Sequence, residues 1–186
     1  MARPNLVKQG ETLFSQVDKI NAELLAHTYG ALVVRLLQDL EQVEEVNRQL
    51  DTMGFNIGQR LVDDFLAKSG TMACQSLRDT AEVIAKVAFK MFLGVTCEVG
   101  NWSADERQFS LMLGDNPLTE IVELPEEYPD LKYLNILCGT IRGALEMVNI
   151  RCNCWLVRDI LKGDDLTELR IQVLEIVEDE YKPTDN

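Results

Sequence analysis

Five cysteines and a single histidine are the residues of this 186-residue chain best equipped for chemistry, and their spacing decides what they can do. Cys152 and Cys154 stand two apart, and on a strand residues i and i+2 share a face, so both sulfurs project together. That geometry suits a metal or redox pair, or plain burial under a sheet. No Cys-x-x-Cys and no further ligand cluster accompanies it, which favours burial. His27, the lone imidazole, has no cysteine nearby in sequence and builds neither a metal site nor a catalytic dyad unaided. Cys74 differs. It lies in Ser69-Gly70-Thr71-Met72-Ala73-Cys74-Gln75-Ser76, a polar loop leading into a helix, where a thiol is more accessible and more readily ionised than in a strand. A partly buried, inert thiol is the commoner state of a cysteine and stays open for this one.

The remaining chemistry is sparse. Asp63-Asp64, Glu126-Glu127 and Asp164-Asp165 are carboxylate pairs placed where charge is easily solvated. There is no glycine-rich phosphate loop, no Gly-x-Ser-x-Gly elbow and no His-Glu-x-x-His pair. No enzyme activity, and no metal, is expected.

A net charge of −13 argues against nucleic acid as a ligand. Eight acidic residues between Asp164 and Asn186 face only Arg170 and Lys182, making a solvated edge and tail or a surface for a basic partner. An odd number of cysteines without a signal-like N-terminus reads as reduced thiols in the cytosol. No window approaches the ~20 apolar residues of a membrane span. The length suits one domain, placed at residues 15–181, with 1–14 as a flexible N-terminus and 182–186 as a tail.

These residues must be held by elements that periodicity reveals. Val17, Ile20, Leu24, Leu25, Leu32, Val33, Leu36, Leu37 and Leu40 predict a first helix over about 15–40. Val43, Val46, Leu50, Met53, Ile57, Leu61 and Phe65 predict a second, ended at Lys68-Ser69-Gly70, and the short link implies antiparallel packing of the two. Thr80 can cap a third helix running to about Phe92. Alternation at 95–99 and 109–113 predicts a hairpin, helical spacing returns from Leu131 to Val148, and a second hairpin spans Ile150 to Val173. Helix, helix, helix, hairpin, helix, hairpin makes an α+β domain, about four helices on a four-stranded antiparallel sheet. Gly54 and Gly58 in helix two, and Gly139 and Gly143 in helix four, each cost about 1 kcal/mol relative to alanine. They mark either close helix–helix contact, the commoner reason, or a slot for something slender.

Longer blocks add a resemblance. Thr28-Tyr29-Gly30-Ala31-Leu32-Val33, Met53-Gly54-Phe55-Asn56-Ile57-Gly58, Asp63-Asp64-Phe65-Leu66-Ala67, Ala81 to Met91, Asn116-Pro117-Leu118, Val122-Glu123-Leu124-Pro125, Leu137-Cys138-Gly139, Arg142 to Val148 and Leu161-Lys162-Gly163-Asp164 occur in order. Together they resemble the palmitoylated small subunits of the transport protein particle (TRAPP). The resemblance implies a twisted sheet packed on helices with an internal apolar channel. It implies pairing through helices one and two with other small subunits or with a second copy. It also implies a place in a tethering complex that promotes nucleotide exchange on an early-Golgi Rab GTPase, peripheral to the endoplasmic reticulum and cis-Golgi. A palmitate in thioester linkage would sit on Cys74. Ala88 would let the chain pass, and Val87, Met91, Phe55, Ile57, Leu61 and Leu145 would line the channel. A different class, a homodimeric small-molecule sensor of the same architecture, stays open; the second apolar edge of helix one speaks for a pairing face.

Overall fold

The computed structural model describes residues 5–70 and 74–177. Four strands form one sheet in the order β1-β2-β4-β3, all neighbours antiparallel: β1 Glu98–Gly100, β2 Gln108–Leu113, β3 Ile150–Arg158 and β4 Thr167–Ile176. The two expected hairpins thus join through β2 and β4. Phe109 stands opposite Ile171 and Leu111 opposite Leu169, all four fully buried, so this pairing forms the base of the core. Along β4, Leu169, Ile171 and Val173 point inward while Gln172 is exposed, the alternation that a sheet covered on one face requires. β3 is an edge strand, and its register against β4 slips at Arg151/Cys152 and again at Leu156/Arg158.

Five helices pack on this sheet: α1 Leu6–Gln16, α2 Ala22–Asp39, α3 Val43–Ser69, α4 over residues 77–93 and α5 Asn135–Glu146. α4 is continuous but mixed: Leu77–Val83 is α-helical, Ile84–Ala88 forms a π turn, and Phe89–Leu93 is α-helical again. α3 ends where its sequence says, with Gly70 at φ 59° in the left-handed cap, and Gly94 at φ 75° closes α4 in the same way.

The structure corrects four expectations. The single helix over 15–40 is two, because Asn21 turns its side chain onto the Leu24 amide (3.1 Å) and starts α2 afresh. Residues 6–14, placed in a flexible N-terminus, belong to the helix α1, capped by Asn5. α2 and α3 do not form the main antiparallel pair: α3 packs chiefly on α5, and α2 docks through Ala26, Tyr29 and Val33. The Tyr29 hydroxyl donates to the Tyr133 carbonyl, and the two rings meet edge to face at 4.9 Å. Ser76, rather than Thr80, caps α4, accepting from the Asp79 amide at 3.1 Å. Residues 1–4 and the tail 182–186 lie outside the described residues.

Candidate functional site

The five thiols sort by burial. Cys97, Cys138 and Cys152 are buried and Cys154 is half-buried, whereas Cys74 is exposed; none forms a disulfide. Burial pushes the Cys97 thiol well up and carries Cys152 to about 11. Cys154 is raised by its hydrogen bond with Cys138 and by burial. These three therefore stay protonated and inert at neutral pH. No group of His, Cys, Asp or Glu among the described residues is arranged to hold a metal ion. His27 is exposed on α2.

Cys74 stands between the C-terminus of α3 and the start of α4. Thr71 to Ala73 lie outside the described residues, but the far side is firmly built. Arg78 donates from Nε and a terminal nitrogen to Glu106 Oε1, at 3.1 and 2.8 Å. Its guanidinium lies 4.5 Å over the Trp102 ring, and Trp102 stacks on buried Phe109. The first turn of α4, three residues beyond the thiol, is thereby fixed to the β1–β2 hairpin.

The glycine pairs decide one question. A Cβ on Gly54 would collide with the Ile136 carbonyl, on Gly58 with the Thr140 carbonyl, on Gly139 with the Asp51 carbonyl and on Gly143 with the Phe55 carbonyl. α3 and α5 meet backbone to backbone, and the space between them holds no slot. Arg142 of α5 pairs with Asp51 of α3 and lies 4.8 Å over the Phe55 ring, which completes the seam.

The seven residues expected around a channel differ in their settings. Leu145 belongs to the main core; Val87 and Met91 are buried outside it, on α4. Ala88, the last residue of the π turn, and Leu61 are half-buried, Phe55 sits under Arg142, and Ile57 is 39% exposed. None lines either of two clefts among the described residues. One, of about 390 Å³, runs between α1 and the end of α3 and is bounded by Gln9, Leu13, Gln16, Lys68 and Ser69. The other, of about 180 Å³, lies at the end of β3 between Lys132, Arg158 and Asp159.

Two features escaped the sequence reading. α1 is one; Leu6, Gly10, Leu13 and Val17 recur at helical spacing and were the available signal. The other is a polar knot under the sheet rim. Glu168 is 3% exposed and accepts from Ser110 Oγ (2.6 Å), Arg170 (2.6 Å), Asn101 Nδ2 (3.0 Å) and Arg158 Nε (3.1 Å). Burial opposes its charge, but these donors outweigh it and hold the pKa at about 2. Nothing in a Thr-Glu-Leu-Arg string announces such a cluster, because three of its four donors, Asn101, Ser110 and Arg158, come from other segments.

Comparison with known proteins follows the same lines. The family model described as transport protein particle (TRAPP) component matches residues 25–172. "Trafficking protein particle complex subunit 3" of Dictyostelium discoideum is 50% identical over 173 residues, 92% of this chain and 93% of that protein. "Transport protein particle subunit bet3" of Schizosaccharomyces pombe is 48% identical over 179 residues, covering 96% and 97%. A crystal structure of a trafficking protein particle complex subunit 3 from Naegleria fowleri, covalently bound to palmitic acid, superposes with a TM-score of 0.82 at 50% identity, covering 87% of this chain and all of that one.

Proposed function

Because the chain belongs to the transport protein particle (TRAPP) component family, we propose that it is a non-catalytic scaffold subunit of a vesicle-tethering complex, carrying one palmitoyl group on Cys74. The complex would promote nucleotide exchange on a Rab GTPase at the endoplasmic reticulum–Golgi boundary, with the chain in the cytoplasm and peripheral to those membranes. The observation that carries the acyl reading is that Cys74 is the exposed thiol of five, in a chain half identical to one that binds palmitic acid covalently. Transfer from an acyl thioester donor breaks the donor's C–S bond, forms one to Cys74 Sγ, and sends the thiol proton to the departing thiolate.

Burying a chain of ~15 methylenes at ~0.8 kcal/mol each contributes on the order of 10 kcal/mol, as much as a whole domain's stability. The acyl group is then a structural cofactor. With the α3–α5 seam closed, its path runs along the Val87, Ala88 and Met91 side of α4 and the Leu61 stretch of α3.

The pairing face is α2. Leu24 and Val34 are 59% and 53% exposed, and Ile20 in the preceding link is 69% exposed. Such an apolar edge suits a second small subunit of the complex, or a second copy. Intact-mass measurement of the chain from a eukaryotic host tests the acyl reading: an excess of one palmitoyl group, removed by hydroxylamine and missing from Cys74→Ser, is expected. An unmodified wild-type chain refutes it.

A further inference from the structure

α3 and α4 make few direct approaches along their lengths; α1 is what rests on both. Gln9 Nε2 donates to the Ser69 carbonyl at 3.2 Å, in the last turn of α3. Gly10 sets its Cα against the Lys86 carbonyl, inside the π turn of α4, and against the Lys90 stem; a Cβ there would strike that carbonyl. Phe14 lies under Lys19 and Lys90, whose ammonium nitrogens stand 4.3 and 5.2 Å from the ring centroid, and its edge meets Gly94. Ser69 precedes Cys74 and Lys86 follows it, so α1 ties together the two arms that carry the thiol.

Those arms hold apolar surface that the main core does not use. Leu61, Val62 and Phe65 of α3 are half-buried, and Val87 and Met91 of α4 are buried apart from the central cluster. α1 itself is lightly anchored, with Gly10 and Leu13 its buried residues, an open cleft along its flank, and the exposed residues 18–21 as its tether to α2. An element with so few buried contacts opens far more readily than the core it covers.

We propose that α1 is a strap over the acyl chain of Cys74: docked, it keeps the hydrocarbon between α3 and α4, and released, it delivers that hydrocarbon to a bilayer. The proposal rests on the acylation of Cys74 described above. Because the docked strap and the buried chain share one apolar seat, each stabilises the other by the same factor. Release yields reversible membrane attachment, since a single chain holds a protein only weakly.

The test floats acylated wild type, Gly10→Val and Gln9→Ala with phosphatidylcholine vesicles, each beside its hydroxylamine-treated form. Acylated Gly10→Val is expected to float at least about tenfold more than acylated wild type, with Gln9→Ala between them and all treated chains left behind. In wild type, the amides of residues 6–16 exchange about tenfold more slowly with the acyl group than without it. If both acylated variants stay with wild type and α1 exchange ignores the acyl group, the strap is overturned while acylation stands. Flotation of treated Gly10→Val also overturns it, because protein rather than hydrocarbon would then be the anchor. A wild type bearing no acyl group on Cys74 refutes the acylation reading itself, and the strap with it.

Discussion

Two helix contacts in this molecule are made through glycine, and they behave differently because of what surrounds the glycine. On the α3–α5 seam four glycines interlock, each facing a main-chain carbonyl of the other helix, flanked by the Arg142–Asp51 pair and by buried Leu50, Cys138 and Ile141. On the α1–α4 seat one glycine faces one carbonyl, with open solvent beside it. The first arrangement is continuous with the core and fails only with it. The second is local. Close approach of backbones is therefore no measure of rigidity; the number of neighbours that must move with it is.

The strongest blow to this contrast is a bulky residue on the seam. Gly139→Val would press two methyl groups against the Asp51 carbonyl, and neither helix can yield, so a loss of about 3 kcal/mol or more is expected in the urea midpoint. An effect under 1 kcal/mol would mean that the seam relaxes as easily as the α1 seat. Next comes acid. With its pKa near 2 against an ordinary ~4.3, Glu168 is charged in the folded chain where the unfolded chain already takes up a proton. Its contribution, about 3 kcal/mol, is complete above pH ~4.3 and drains away as the pH falls toward 2. Urea midpoints at pH 6 and pH 3 should converge in Glu168→Gln relative to wild type, and α1 exchange should be indifferent to the substitution.

Arg142→Ala removes a half-buried ion pair and the cation over Phe55, leaving Asp51 without its partner; about 1–2 kcal/mol of global stability should go. Smallest on the global scale is Gly10→Ala. The midpoint should hold within about 0.5 kcal/mol, while exchange of residues 6–16 accelerates about tenfold. A global loss equal to that of Arg142→Ala would place α1 in the core and erase the distinction.

Much of the architecture was legible because it rests on local period and punctuation. The β2 and β4 alternation, the glycine ends of α3 and α4 and the order of elements follow from side chains within a few residues of one another. The breaks were harder. Ile20 and Leu24 carry a helical rhythm across residues 17–21, yet a single Asn21 side chain divides the helices there. Apolar period also cannot separate core from pairing face: Leu24 and Val33 count alike toward the predicted first helix, yet Val33 is buried and Leu24 lies open. At the candidate site, the loop setting of Cys74 correctly marked the exposed thiol among five. The residues expected to line a channel were harder to read, because the π turn at Ile84–Ala88 shifts the phase of α4 by one residue, so stripe positions counted at 3.6 residues per turn cannot say which of its side chains face together.

The two slips of register in β3 carry a consequence for how this chain behaves in crowded solution. An open edge strand of nine residues is a template on which other chains can add, and fibrils grow by that route. Here the ladder is regular only from Cys152 to Leu156, with Leu174 of β4 left over at one slip and Val157 of β3 at the other, and irregularities of this kind twist a sheet edge. A foreign strand would have to follow the same irregularities to stay in step along the edge. An acidic protein with an unclosed sheet can thus be kept at high local concentration, as members of large assemblies are, without its edges finding one another.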